Sequence, residues 1–128
     1  MNSTSTPPYA VTRRFPRYEA HLALDLRREN HSDISHGMTG NMSQGGLFLW
    51  LSGELPAVGE HVHLDFNVPE GHRPVIFSLR AEVTSVVSEM GVGLRFCEMP
   101  HATFMQLGSL VERASHGEFL RETDHPIT

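Results

Sequence analysis

From residue 20 to residue 96 the chain repeatedly places an apolar side chain at every second position. Ala20, Leu22, Leu24 and Leu26 alternate with His21, Ala23 and Asp25. Val62, Leu64, Phe66 and Val68 do the same, as do Val75, Phe77, Leu79, Ala81 and Val83, and then Val92, Leu94 and Phe96. A period of two is that of a strand with one buried face. Two further segments complete the set: ISHGMTGN (34–41), a glycine-containing strand, and the apolar run GLFLWL (46–51). The segments between them, at 29–33, 52–60, 69–74 and 88–91, are rich in Gly, Pro, Asn, Asp and Ser and read as turns or loops.

Past Pro100 the period changes. Phe104, Leu107, Leu110 and Val111 form a helical stripe, which predicts a helix over about residues 101–114 that covers part of the sheet. Six short strands joined by turns predict an all-β fold, a six-stranded antiparallel β-barrel with a C-terminal α-helix. Closing the sheet removes edges that would otherwise pair with other chains. The chain's 128 residues suit one domain with a modest core. The expected organisation is a disordered Ser/Thr/Pro-rich arm over 1–12, the barrel and helix over 13–114, and a tail over 115–128.

All ten basic residues are arginine, and the formal net charge is -5. An acidic chain of this kind is a poor nucleic-acid coat, so anion binding has to be local. Three arginines, Arg13, Arg14 and Arg17, fall within five residues just before the first strand. The guanidinium is a planar fork that pairs with phosphate oxygens or with the O6 and N7 edge of guanine. A second group, NMSQGG at 41–46, puts Asn41 and Ser43 two positions apart and hence on one strand face, followed by Gly45 and Gly46. Taken alone these are ordinary turn residues. Beside the arginines they supply what a ligand bearing both phosphates and guanines needs: amide acceptors for N–H groups, and glycines that let a base approach closely.

Arg13-x-x-x-Arg17 followed by Asn41-x-Ser43-x-x-Gly46, with GVGLRF as the last strand, resembles the PilZ family, whose motifs are RxxxR and [D/N]xSxxG at about this separation. The resemblance spans roughly residues 13–114. It implies a six-stranded barrel that binds the second messenger cyclic di-GMP. Arg13 and Arg17 would take phosphates and guanine Hoogsteen edges, with Arg14 in support. Asn41 and Ser43 would read guanine edges, Gly46 would permit close approach, and Gly45 would help the turn. Asn41 stands where many members carry Asp, and an amide accepts less strongly than a carboxylate that can take two donors at once.

What the resemblance implies is a bacterial signalling receptor, not an enzyme, with no cofactor beyond the ligand. Its arm would order on binding and present a reshaped surface to an effector protein in motility, exopolysaccharide or virulence control. The alternative is a nucleotide-independent adaptor on the same barrel, acting in pilus or flagellar function. Ligand stoichiometry stays open between one molecule and a stacked pair, and the oligomeric state between monomer and homodimer. A single-stranded nucleic-acid barrel fits less well, because basic and aromatic residues are not interleaved.

No nucleophile elbow, P-loop or HExxH motif is present in the sequence. His61 and His63 share a face at ligand-like spacing but alternate with inward residues, so both are expected in solvent and no metal site is assigned. Cys97 is the single cysteine and is read as a half-buried hydrophobe. Trp50 is expected to pack in the core, while Met105 and Phe119 are candidates for surface contacts. The N-terminal segment carries no apolar signal region, and no run approaches the ~18 apolar residues of a membrane span, so a cytoplasmic location without membrane insertion is expected.

Overall fold

The computed structural model describes residues 15–70 and 72–120. Seven strands precede one helix: β1 Tyr18–Glu19, β2 Ala23–Arg28, β3 Ile34–Met42, β4 Gly46–Leu51, β5 His61–Glu70, β6 Arg73–Val87, β7 Gly91–Phe96 and α1 His101–Ser115. All pairings are antiparallel, in the order β1-β3-β2-β5-β6-β7-β4. β4 also pairs with β3, so β2 to β7 close into a six-stranded barrel and β1 is an extra pairing on β3. Closure follows from the sequence: each strand has one apolar face, and a ring hides all six of them together.

Inward residues follow the predicted alternation. Leu24 and Leu26, Leu47, Leu49 and Leu51, Val62, Leu64, Phe66 and Val68, Phe77, Leu79, Ala81 and Val83, and Val92 with Leu94 are all buried. Phe66 and Phe77 stack across β5 and β6 with centroids 5.1 Å apart. Leu107, Leu110, Val111 and Ala114 of α1 join the same core. The helix reaches from the 43–46 turn, where the Gln44 side chain donates to the Phe104 carbonyl (2.9 Å), to the β5–β6 hairpin, where Arg113 donates to the Pro69 carbonyl (3.0 Å).

Several expectations need correction. The 69–74 turn is tighter than expected, because Pro69 pairs with Pro74 and Glu70 with Arg73 inside the hairpin. Phe119 is no surface contact: it is buried, its carbonyl accepts from the His21 N–H (2.7 Å), and the Arg113 guanidinium lies over its ring. Trp50 does not pack in the core. Leu47, Leu49 and Leu51 take the inward positions of β4, which turns Phe48 and Trp50 outward, and Trp50 is 43% exposed.

One buried polar side chain fixes the approach to the barrel. Thr39 is fully buried; its hydroxyl donates to the Ala20 carbonyl and accepts from the Leu22 N–H (2.8 Å). The bend between β1 and β2 is thereby tied to β3, and β1 is held antiparallel to the end of β3.

Candidate functional site

β1 places the site. Its register pairs Tyr18 with Met42 and Glu19 with Asn41, so Arg17, one residue earlier, stands beside the end of β3. The Arg17 Nη1 donates to Asn41 Oδ1 at 2.6 Å. The two half-motifs therefore meet in space on one barrel rim. Arg17 is exposed and Asn41 half-buried, so both can be reached from solvent. Arg13 and Arg14 lie outside the described residues.

Ser43 and the glycines stand differently from the sequence expectation. β3 ends at Met42, so the two-residue period does not carry to Ser43. Asn41 and Ser43 therefore do not share an outward face, and Ser43 is only 2% exposed. The Ser43 hydroxyl accepts from the backbone N–H groups of Gly45 (3.1 Å) and Gly46 (3.2 Å), while the Ser43 N–H donates to the Gly46 carbonyl (2.8 Å). The hydroxyl thus closes the 43–46 turn, a local side-chain-to-backbone arrangement typical of serine.

Gly46 has a packing reason of its own. A Cβ there would lie 2.1 Å from the Leu94 carbonyl oxygen, so the close approach that Gly46 permits in this structure is that of β7 to β4. Gly45 is half-buried and its carbonyl accepts from the Phe96 N–H (2.9 Å), which anchors the turn to the end of β7.

Beside this turn lies a cavity of about 390 Å³ lined by Phe15, Gln44, Gly45, Arg95, Phe96 and Phe104 among others. Phe15 and Phe104 meet edge to face at 6.1 Å and form its apolar wall. Arg95 is paired with Glu82 on β6. Sequence reasoning missed Phe15 and Gln44, which occupy variable positions inside the two motifs. The signal available was their type: an aromatic between two arginines, and an amide within a turn.

The histidines face other partners. His63 Nε2 is 3.3 Å from Glu29, which also takes two contacts from Arg80 (2.9 and 3.2 Å). Bonding to Arg80 holds the Glu29 carboxyl below the usual carboxylate range, against the opposing effect of burial. His61 sits opposite Glu82. Among the described residues no group of three or more His, Cys, Asp or Glu side chains converges as a metal site would require, and no helix is long and apolar enough to cross a membrane.

A closed six-stranded barrel, with an arginine hydrogen-bonded to an Asn-x-Ser-x-x-Gly turn on its rim, defines a small β-barrel domain of one particular kind. The chain belongs to the PilZ domain family, whose model matches residues 12–113. Three solved structures share the fold. The inhibitor of motility MotI/DgrA of Bacillus subtilis matches at a TM-score of 0.69 with 21% identity over 82% of this chain; the chain spans about half (52%) of that protein's length. The PilZ domain of YcgR from Escherichia coli, solved with c-di-GMP, matches at 0.66 with 15% identity, covering 81% of this chain and 92% of that one. The PilZ domain of CeSA from a cellulose-synthesizing bacterium matches at 0.56 with 19% identity, covering 86% and 99%. No curated protein matches the sequence.

Proposed function

We propose that this protein is a cyclic di-GMP receptor of the bacterial cytoplasm that passes the signal to a separate effector protein. The observation that carries the reading is the 2.6 Å contact between Arg17 and Asn41. It brings a guanidinium and an amide carbonyl to one rim, and these are the two groups a guanylyl phosphate requires. The named ligand of the YcgR structure is consistent with it.

The chemistry is an exchange of partners. Asn41 Oδ1 now accepts from Arg17; guanine N1–H and N2–H are alternative donors to the same oxygen. Arg17, released, turns its fork to a phosphate, where both partners are charged, or to guanine O6 and N7 as a bidentate pair. Arg13 and Arg14 join from the arm. Ser43 and Gly45 hold the turn, and Gly46 keeps β4 close to β7, so their part is to keep Asn41 in place. Ordering of the arm on the ligand is the signal that the effector reads.

Side-chain NMR of Arg17 Nε–H and Asn41 Nδ2–H₂ during a cyclic di-GMP titration tests this exchange. Both sets of signals should move together and saturate at one ligand concentration. Shifts confined to other parts of the barrel would rule the rim out as the site.

A further inference from the structure

Each half-motif carries one side chain that leaves the rim and reaches α1. In Arg13-x-x-x-Arg17 it is Phe15, whose ring meets Phe104 edge to face at 6.1 Å. In Asn41-x-Ser43-x-x-Gly46 it is Gln44, whose side-chain amide donates to the Phe104 carbonyl at 2.9 Å. The two segments that meet at Arg17 and Asn41 therefore meet a second time, on the ring and the carbonyl of one helical residue.

The Phe104 ring does not belong to the core. Its spacing with Leu107, Leu110 and Val111 predicts that it should, and those three are core residues. Phe104 is only half-buried, and its ring walls the cavity beside the 43–46 turn. Gly108, one turn further along the helix, gives an independent sign. Glycine inside a helix is disfavoured relative to alanine, since it has more backbone freedom to lose. A Cβ at this position would lie 2.7 Å from Gln44 Nε2, so the helix is bare where Gln44 crosses it.

The links to the rim are short. Pro16 fixes its own φ and restricts Phe15 to extended backbone, so few free torsions separate the Phe15 ring from Arg17. Gln44 belongs to the turn that the Ser43 hydroxyl closes, directly after the strand end that carries Asn41.

We propose that Phe104 is a positioning residue for the rim: through Phe15 and Gln44, α1 holds Arg17 and Asn41 in their places. The consequence for cyclic di-GMP affinity rests on the receptor reading; the coupling of α1 to the rim does not.

Variants on the helix separate this role from a merely structural one. Phe104→Ala removes the ring and Phe104→Tyr keeps it. Gly108→Ala adds a methyl group that displaces the flexible end of Gln44 while favouring the helix, so it should unfold at no lower urea concentration than wild type. Met105→Ala, at an exposed neighbour on the same helix, is the control. Without ligand, NMR order parameters of the Arg17 side-chain N–H should fall in Phe104→Ala, and those of the Asn41 amide in Gly108→Ala, with neither changed in Met105→Ala. By calorimetry Phe104→Ala and Gly108→Ala should each weaken cyclic di-GMP binding at least about threefold, while Phe104→Tyr and Met105→Ala bind as wild type does. Phe15→Ala combined with Phe104→Ala should bind no more weakly than Phe104→Ala alone, because the two rings act as one contact. Order parameters unchanged in both Phe104→Ala and Gly108→Ala would overturn the proposal whatever the rim binds. So would wild-type affinity in both variants. A wild type that binds no cyclic di-GMP would overturn the receptor reading instead, and the order parameters would still decide the coupling.

Discussion

The guanidinium of Arg17 and the side-chain carbonyl of Asn41, 24 residues apart in sequence, lie 2.6 Å apart in space. The two-residue strand β1 makes this possible by pairing Glu19 with Asn41. Each group thus occupies the other's hydrogen-bonding valence, and any ligand that engaged either one would have to replace this contact.

The first prediction concerns that contact. Asn41→Ala should weaken cyclic di-GMP binding at least about tenfold, because the guanine donors lose their acceptor. Asn41→Asp should bind at least as tightly as wild type, since a carboxylate accepts N1–H and N2–H together. Calorimetry on the two variants checks this. Tighter binding by the alanine variant would mean that Asn41 serves only to restrain Arg17.

Ser43 and Gly46 should behave differently from Asn41. Ser43→Ala leaves two N–H groups of the turn without their acceptor and should cost about 1–3 kcal/mol. Gly46→Ala forces β4 from β7 and should cost about as much as other overpacked positions, about 1–3 kcal/mol or more. Urea unfolding measures both. Either variant unfolding like wild type would remove the structural role assigned to it.

Thr39→Val keeps the shape of a fully buried side chain and removes the hydroxyl that serves Ala20 and Leu22. The loss should be about 1–3 kcal/mol, from an amide and a carbonyl left unsatisfied. Because that hydroxyl also fixes the bend before β2, cyclic di-GMP affinity should fall along with stability. Urea unfolding and calorimetry on one sample separate the two effects.

Stability should fall in acid. Glu29, bonded to Arg80, and Glu60, bonded to Arg28 and to the Ala57 N–H, both have carboxyl groups held below their ordinary range. A carboxyl with a lowered folded pKa contributes stability that is present above the unfolded value, about 4.3, and is lost as pH falls through the folded value. Urea midpoints measured from about pH 7 down to about pH 3 should therefore decline. The double variant Glu29→Gln/Glu60→Gln should show a flatter decline, and an equally steep one would place the acid sensitivity elsewhere.

The alternation of apolar residues marks four of the six barrel strands, because burial on one face imposes a period of two, while β3 and β4 are legible only as a glycine-containing segment and an apolar run of strand length between turns. β1 escaped notice, since two residues cannot show a period. The outward position of Trp50 is hidden for a different reason. In GLFLWL every residue is apolar, and only the parity set by Leu47, Leu49 and Leu51 tells which side is inside. Asn41 and Arg17 were legible as a motif, yet their direct contact was not, because it depends on the β1 register. Counting in twos gives Ser43 an outward face only by running past the end of β3 at Met42. Gly46 looked like space for a ligand, whereas the neighbour that fills that space is Leu94 on a strand nearly fifty residues later.

Isothermal calorimetry of cyclic di-GMP into wild type and Arg17→Ala tests the receptor reading most directly. Wild type should bind at micromolar concentration or below, and the variant, folded and equally stable, should show at least about a tenfold loss. A folded wild type that releases no heat at millimolar ligand, or a variant that binds as wild type does, would contradict it.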